Sequence, residues 1–211
     1  MIKSSTNIYG LSFEKRYGNS DDDKDWIDNG FQHLHQTIKE EFSANNKKIL
    51  LECINKLKNK KSFNSILEIG VNRSRENSST QFIFQNKPQE TKYVGVDANC
   101  ILINEVYNPD KNIFGICSYS QNFDTISNYL NELNISELDL IIIDGWHSIN
   151  QLYLDFQYTK YISKNGIVFF HDTNYHPGPK VLLECINNNI FNVYKFFENE
   201  IDWGVAYIEK I

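Results

Sequence analysis

Nothing in the sequence approaches the roughly 18 consecutive apolar residues of a membrane-spanning helix, which excludes a helical membrane protein. The first ten residues, MIKSSTNIYG, lack the apolar core of a secretory signal, so a cytoplasmic location is expected. Positive charge is scarce: 21 Lys and Arg against 27 Asp and Glu leave a net charge of -6 and a pI near 5.4. Phosphate contacts need clustered Lys and Arg, so a broad nucleic-acid surface is excluded. Cysteine is confined to Cys53, Cys100, Cys117 and Cys185, with no CxxC pair and no zinc-like spacing. All four are expected to be reduced, mostly as small buried hydrophobes. What is present is ordinary for a globular chain: 211 residues, 41% of them hydrophobic, suffice for one domain with a real core.

Residues 1–30 are polar and irregular, and the acidic run Asp21, Asp22, Asp23 reads as a solvated stretch. From Phe31 to about Lys60 apolar residues recur at three-and-four spacing, which predicts a pair of amphipathic helices or one broken near Ser43–Asn46. Residues 1–60 are therefore expected to form an irregular segment with a helical cap, and 61–211 the main domain. In that domain strands alternate with helices. Strands are predicted at Ser65–Gly70, Lys92–Asp97, Asn112–Ile116, Leu138–Asp144 and Gly166–His171, and helices near Ser78–Gln85, Ile126–Leu133 and Ile149–Ile162. The alternation implies parallel βαβ units. Phe191–Glu198 and Trp203–Glu209 break it as two strands with a short link, an antiparallel hairpin. The fold expected is a Rossmann-like three-layer αβα sandwich, with a seven-stranded, mostly parallel sheet and a C-terminal hairpin.

Open α/β sheets bind ligands beyond the carboxyl ends of their strands. Four predicted strands end there in special residues: Glu68-Ile-Gly70, Asp97, Asp144 and His171-Asp172. One Asp after a strand is as readily a turn carboxylate; four such endings on one edge point to a site. The loop after the first strand contains only Gly70 where a dinucleotide fingerprint needs three glycines, which speaks against NAD and FAD. It suits a smaller ligand lying across Gly70 and bonded to Glu68. Asp97 stands where a carboxylate accepts both hydroxyls of a ribose, so a nucleoside cofactor without a pyrophosphate fits. Asp144 and Asp172, at adjacent strand ends, are placed to share a hard cation such as magnesium. His147, three residues past Asp144, is a candidate general base. His176, in a Pro/Gly loop above the same edge, is a candidate substrate contact. His33 and His35, with no partner in sequence, read as structural or solvated.

These residues resemble a known family. ILEIG with Gly70, YVGVD with Asp97, LIIIDGWHS and GIVFFHDT are similar to class I S-adenosylmethionine-dependent methyltransferases. The DGWHS and HDT pairing resembles the metal-dependent sugar O-methyltransferases of the macrocin O-methyltransferase and cephalosporin-hydroxylase-like group. The match covers about Ser65 to Ile211, and Tyr17-Gly18 faintly resembles that group's entry segment. The resemblance implies transfer of a methyl group from S-adenosylmethionine to a hydroxyl of a sugar or glycoconjugate, assisted by a divalent metal such as Mg2+. It implies cofactor contacts from Glu68, Gly70, Asn72, Ser74, Asp97, Cys117, Ser118 and Asp144. Metal ligation falls to Asp144, His171 and Asp172, catalysis to His147 with Asp144, and acceptor contacts to His176 and Trp146. The sequence departs from the family at His171, where an acid is usual, at Ser74, where a second glycine is expected, and at Cys117. A catechol-like acceptor, a degenerate cofactor-binding module and an iron hydroxylase are the rival readings. The expected partner is a small-molecule or glycan acceptor, with neither nucleic acid nor membrane, and self-association is left open.

Overall fold

The computed structural model describes Ile38 and residues 40–60, 62–198 and 200–211. The acidic run, Tyr17-Gly18, His33, His35 and the first of the two expected N-terminal helices lie outside the described residues. The second helix is α1, Ala44–Lys58. It starts at the break read from the sequence, because Ser43 closes a reciprocal capping box with Asn46. Its Ile49, Leu50, Cys53, Ile54 and Leu57 are buried.

The elements then follow as β1 (Ser65–Ile69), α2 (Ser79–Asn86), β2 (Lys92–Asp97), α3 (Cys100–Val106) and β3 (Ile113–Cys117). Next come α4 (Phe123–Glu132), β4 (Leu138–Ile143), α5 (Ile149–Asp155) and β5 (Ile162–His171). The chain closes with α6 (Pro177–Glu184), β6 (Phe191–Phe196) and β7 (Val205–Lys210). The strands form one seven-stranded sheet in the order β3-β2-β1-β4-β5-β7-β6. Its first five strands are parallel, and β7 runs antiparallel to both β5 and β6. The expected architecture is the observed one.

Every residue of β4 is buried. Ile141 and Ile143 join Leu67, Val96, Phe170 and the inner residues of α4 and α5 in one apolar cluster. Leu140 and Ile142 join Ile66, Phe169 and the inner face of α1 in another. Strand alternation alone produces this split, since successive side chains point to opposite faces. The layers follow: α4 and α5 on one face of the sheet, α1 and α2 on the other. Each buried Ile contributes about 1.5–3 kcal/mol relative to exposure, which makes the middle of the sheet a rigid base for its carboxyl edge.

Three local expectations are corrected. Cys100 and Cys117 form a disulfide across 4.9 Å of Cα separation, because α3 begins beside the end of β3; only Cys53 and Cys185 are free. The helix expected over Ile149–Ile162 stays α-helical only to Asp155 and tightens to a 3-10 helix over Phe156–Tyr161. Strand β5 begins at Ile162 rather than Gly166, with an irregularity opposite Leu138–Leu140 that absorbs the extra residues.

Candidate active site

Hydrogen bonds of the ladder continue past the strands and pin the loops that follow. Gly70 N donates to Val96 O at 3.0 Å, Asp144 N to Ile69 O at 2.9 Å and Ser118 N to Asp97 O at 2.9 Å. Gly70 adopts a φ of +85°, which turns the chain away from β1 directly against the Asp144 backbone. The loops after β1, β2, β3 and β4 thereby bound one depression at the carboxyl edge of the sheet.

That depression has two halves, and Gly70, Arg73 and Trp146 line both. The first half is bounded by Asp97, Ala98, Ser118, Tyr119 and Gln121. The Asp97 carboxylate is held at its rim by two backbone N–H groups, from Val71 at 3.0 Å and Asn99 at 2.7 Å. Each oxygen keeps a lone pair for a further donor. The disulfide flanks this rim, so Cys117 has its sulfur committed to Cys100 and is absent from the lining. Ser118, expected beside it, does line the cavity.

The second half gathers Asp144, His147, His171, Asp172 and His176. Asp172 turns the chain out of β5 with φ +59°, a conformation Asp tolerates better than most residues, and its carboxylate lies between two imidazoles. His147 Nε2 is 2.8 Å from Asp172 Oδ2; His171 Nδ1 is 3.3 Å from Asp172 Oδ1 and 3.0 Å from Asp144 Oδ1. The other nitrogen of His171 lies 3.2 Å from Asn46 Oδ1. Asn46 in turn donates to Asp202 at 2.8 Å, so α1 and the turn before β7 fix the His171 ring from behind. Burial opposes a charge on His171, but Asp172 and Asp144 outweigh it and hold the imidazole well above the ordinary histidine range. Burial also works against the Asp172 charge, yet His171 and His147 hold its carboxyl well below the usual range. Both nitrogens of His171 face protein oxygens. In this geometry it is the counter-charge of the two carboxylates, and Asp144, His171 and Asp172 each offer a ligand atom within 4.8 Å of the others.

Glu68 occupies a different place from the one expected. It points to the α1–α2 face of the sheet, fully buried. It accepts hydrogen bonds from Ser79 Oγ at 2.6 Å, Thr80 Oγ1 at 2.9 Å and Tyr93 Oη. Ser79, not Glu68, lines the cavity, and Glu68 acts behind it by anchoring α2. Asn72 and Ser74 do line the cavity; Asn72 N donates to Thr80 at 2.8 Å, and the Ser74 hydroxyl bonds to Glu41. Arg73, Glu41 and Trp203 are lining residues that the sequence reading passed over. Arg73 lies inside the loop that drew attention to Gly70, so a cation there was the available signal.

Burial pushes the Glu68 carboxyl up to about 7 despite its three hydroxyl donors, and burial does the same to Asp155. An acid whose pKa is raised on folding stabilises the fold fully below its unfolded value of about 4.3 and loses that contribution as pH rises through the folded one. His171, raised as well, adds to the loss at higher pH. Stability to urea is therefore expected to fall between pH 5 and pH 8. Glu68→Gln, which cannot ionise, should flatten the decline by up to roughly 3 kcal/mol. Parallel stability profiles for the two proteins would refute the assignment.

No family model matches the chain, and no curated protein matches it. Solved structures do. The O-methyltransferase from Bacillus cereus in complex with SAH aligns with a TM-score of 0.60 at 13% identity, over 89% of this chain and 91% of that one. A putative rRNA methylase from Clostridium thermocellum gives 0.55 at 12% identity, over 77% and 97%. The MycE methyltransferase of the mycinamycin biosynthetic pathway, in complex with Mg and SAH, gives 0.53 at 15% identity, over 80% of this chain and 49% of that one. MycE has also been solved with Mg, SAH and mycinamycin VI. The chain thus spans about half the length of MycE. At these identities the likeness establishes the fold alone, a seven-stranded sheet flanked by helices that this chain shares with these methyltransferases.

Proposed function

We propose that the protein transfers a methyl group from S-adenosylmethionine to a hydroxyl of a sugar or glycoconjugate. One observation carries this reading. A rim carboxylate at the end of β2 and an imidazole–carboxylate pair beyond β4 and β5 face the two halves of one continuous depression. A two-substrate transfer needs this layout, because most of its rate comes from holding both reactants in line.

The half bounded by Asp97 fits a nucleoside. Asp97 accepts from the ribose hydroxyls, while Ser118, Tyr119 and Gln121 surround the base, and the methionine end extends past Gly70 towards Arg73 and Ser79. The Arg73 guanidinium supplies the charge that a carboxylate at this end requires. Trp146, 48% exposed at the junction of the two halves, offers a flat apolar face against which the C–H face of a sugar ring packs. His176 closes the acceptor side.

The carboxylates of Asp144 and Asp172 suit a hard divalent ion such as Mg2+: both lie within reach of one point, now served by His171 Nδ1. When bound, the cofactor supplies an electrophilic methyl group, and a metal held by Asp144 and Asp172 supplies Lewis acidity towards the acceptor oxygen. The chain supplies the proton acceptor. With Nε2 of His147 turned to Asp172, Nδ1 is the nitrogen that takes the hydroxyl proton. Asp172 holds the ring and stabilises the imidazolium that results.

Calorimetric titration with S-adenosylhomocysteine tests the cofactor half. Asp97→Ala removes a charged hydrogen-bond acceptor worth roughly 1.5–3 kcal/mol, so affinity should fall by one to two decades with the thermal transition retained. An unchanged affinity, or a native protein that does not bind at all, would overturn the reading.

A further inference from the structure

His147, Asp172 and His176 form a cluster whose chemistry differs from that of the Asp144–Asp172 oxygen pair. Their ligand atoms all lie within 4.8 Å of one another, and each residue is only 8% exposed. The two imidazoles are 4.1 Å apart between ring centroids, tilted by 35°. The backbone holds them in place. Gly178 N donates to His147 O at 3.0 Å, so the start of α6, which carries His176 as its cap, is clamped to the loop after β4. That clamp needs a glycine: a Cβ on Gly178 would stand 2.1 Å from His147 O. Trp203 covers His176 from the far side, 5.9 Å between ring centroids.

Two imidazole nitrogens and one carboxylate oxygen make a borderline donor set. Such a set discriminates against magnesium, which takes oxygen ligands and retains its waters, and favours zinc or cobalt. We propose that His147, Asp172 and His176 bind a transition-metal ion of the zinc class, and that this binding silences the base. The ion would replace the proton between His147 Nε2 and Asp172 Oδ2. The remaining ring proton then belongs to Nδ1, which can donate but no longer accept. The binding half of the proposal is independent of methyl transfer; the silencing half rests on the base role given to His147.

Cobalt serves as the spectroscopic probe. Chelator-stripped protein is titrated with Co2+ and the visible bands followed, without cofactor or acceptor. One equivalent should bind and be displaced by zinc but not by magnesium. His176→Ala should weaken binding by roughly 100-fold or more, since even outer-shell partners of a metal are worth 10–100-fold. Asp144→Asn should leave it nearly unchanged. Zinc-edge X-ray absorption on the native protein removes any dependence on how the variants fold, and should show two nitrogen neighbours at about 2.0–2.1 Å. Absence of cobalt binding, a first shell of oxygen alone, or loss on Asp144→Asn rather than His176→Ala would overturn the site. Stoichiometric zinc should also abolish methyl transfer, and full turnover with zinc bound would overturn the silencing. The two readings fail separately: cobalt bound without S-adenosylhomocysteine binding sinks only the methyltransferase, and the reverse result sinks only the metal site.

Discussion

If His147 is the base of the proposed methyl transfer, its replacement with alanine is expected to lower turnover by roughly 10²–10⁴-fold, the range typical of a positioned general base. The geometry concentrates the effect in turnover. His147 pairs with Asp172 and lies beside the tilted ring of His176, on the opposite half of the depression from Asp97 and Ser118. S-adenosylhomocysteine affinity should therefore stay close to that of the native protein. A sugar hydroxyl is far too weak an acid to lose its proton unaided at neutral pH, so loss of the ring cannot be absorbed by faster spontaneous ionisation. Asp172→Asn provides the companion measurement. It keeps the imidazole but removes the charge that stabilises its protonated form, and should lower turnover while sparing the cofactor. Wild-type turnover in His147→Ala, or lost cofactor binding in its place, would reduce His147 to a residue that merely packs the loop.

The second large effect lies in the backbone. Gly70→Ala would place a Cβ 2.1 Å from Asp144 O, 2.6 Å from Asp144 C and 2.9 Å from Gly145 N, and none of these backbone atoms can rotate away. The left-handed φ of +85° adds its own penalty for any residue with a side chain. Roughly 1–2 kcal/mol for the conformation and 1–3 kcal/mol for overpacking give a destabilisation of about 2–5 kcal/mol. Relief would also push the end of β4 outward and take Asp144 with it. Gly145→Ala is the control, since its Cβ would meet only the Ile69 Cγ2 methyl at 3.1 Å, a shift of a few tenths of an ångström, and no backbone atom closer than 3.8 Å. Urea unfolding should separate the two variants clearly, and equal midpoints would show that the approach of β1 to β4 is looser than described.

Much of this architecture can be read before any coordinates. The runs LEIG, YVGVD, LIIID and IVFFH are too apolar for anything but buried strands, and their polar endings mark the edge where the site lies. What escaped had physical reasons. The Pro-Gly-Pro segment reads as a stiff loop, yet a proline at the first turn of a helix loses nothing, and α6 begins there. Helix α3 has seven residues with only Ile103 and Val106 buried, too few for a helical period to register. Glu68 lies near the carboxyl end of β1, which draws it towards the ligand on sequence alone. Its parity was the better guide, since Ile66 and Glu68 point to the same face, under α2. The Cys100–Cys117 pairing depends on the start of α3 meeting the end of β3, and a separation of 17 residues gives no hint of that.

Strand β4 supplies alternate side chains to two cores that share no residue, and it carries Asp144 at its tip. It is thus the least forgiving stretch of the gene. A single-codon insertion or deletion within Leu138–Ile143 would exchange the partners of every side chain beyond it and turn Asp144 away from the cleft. The loops that follow β4 and β5 run along the edge, outside both cores. Inherited variation should therefore accumulate as length changes beyond the strand tips, while the strand itself changes only by substitution of one aliphatic residue for another.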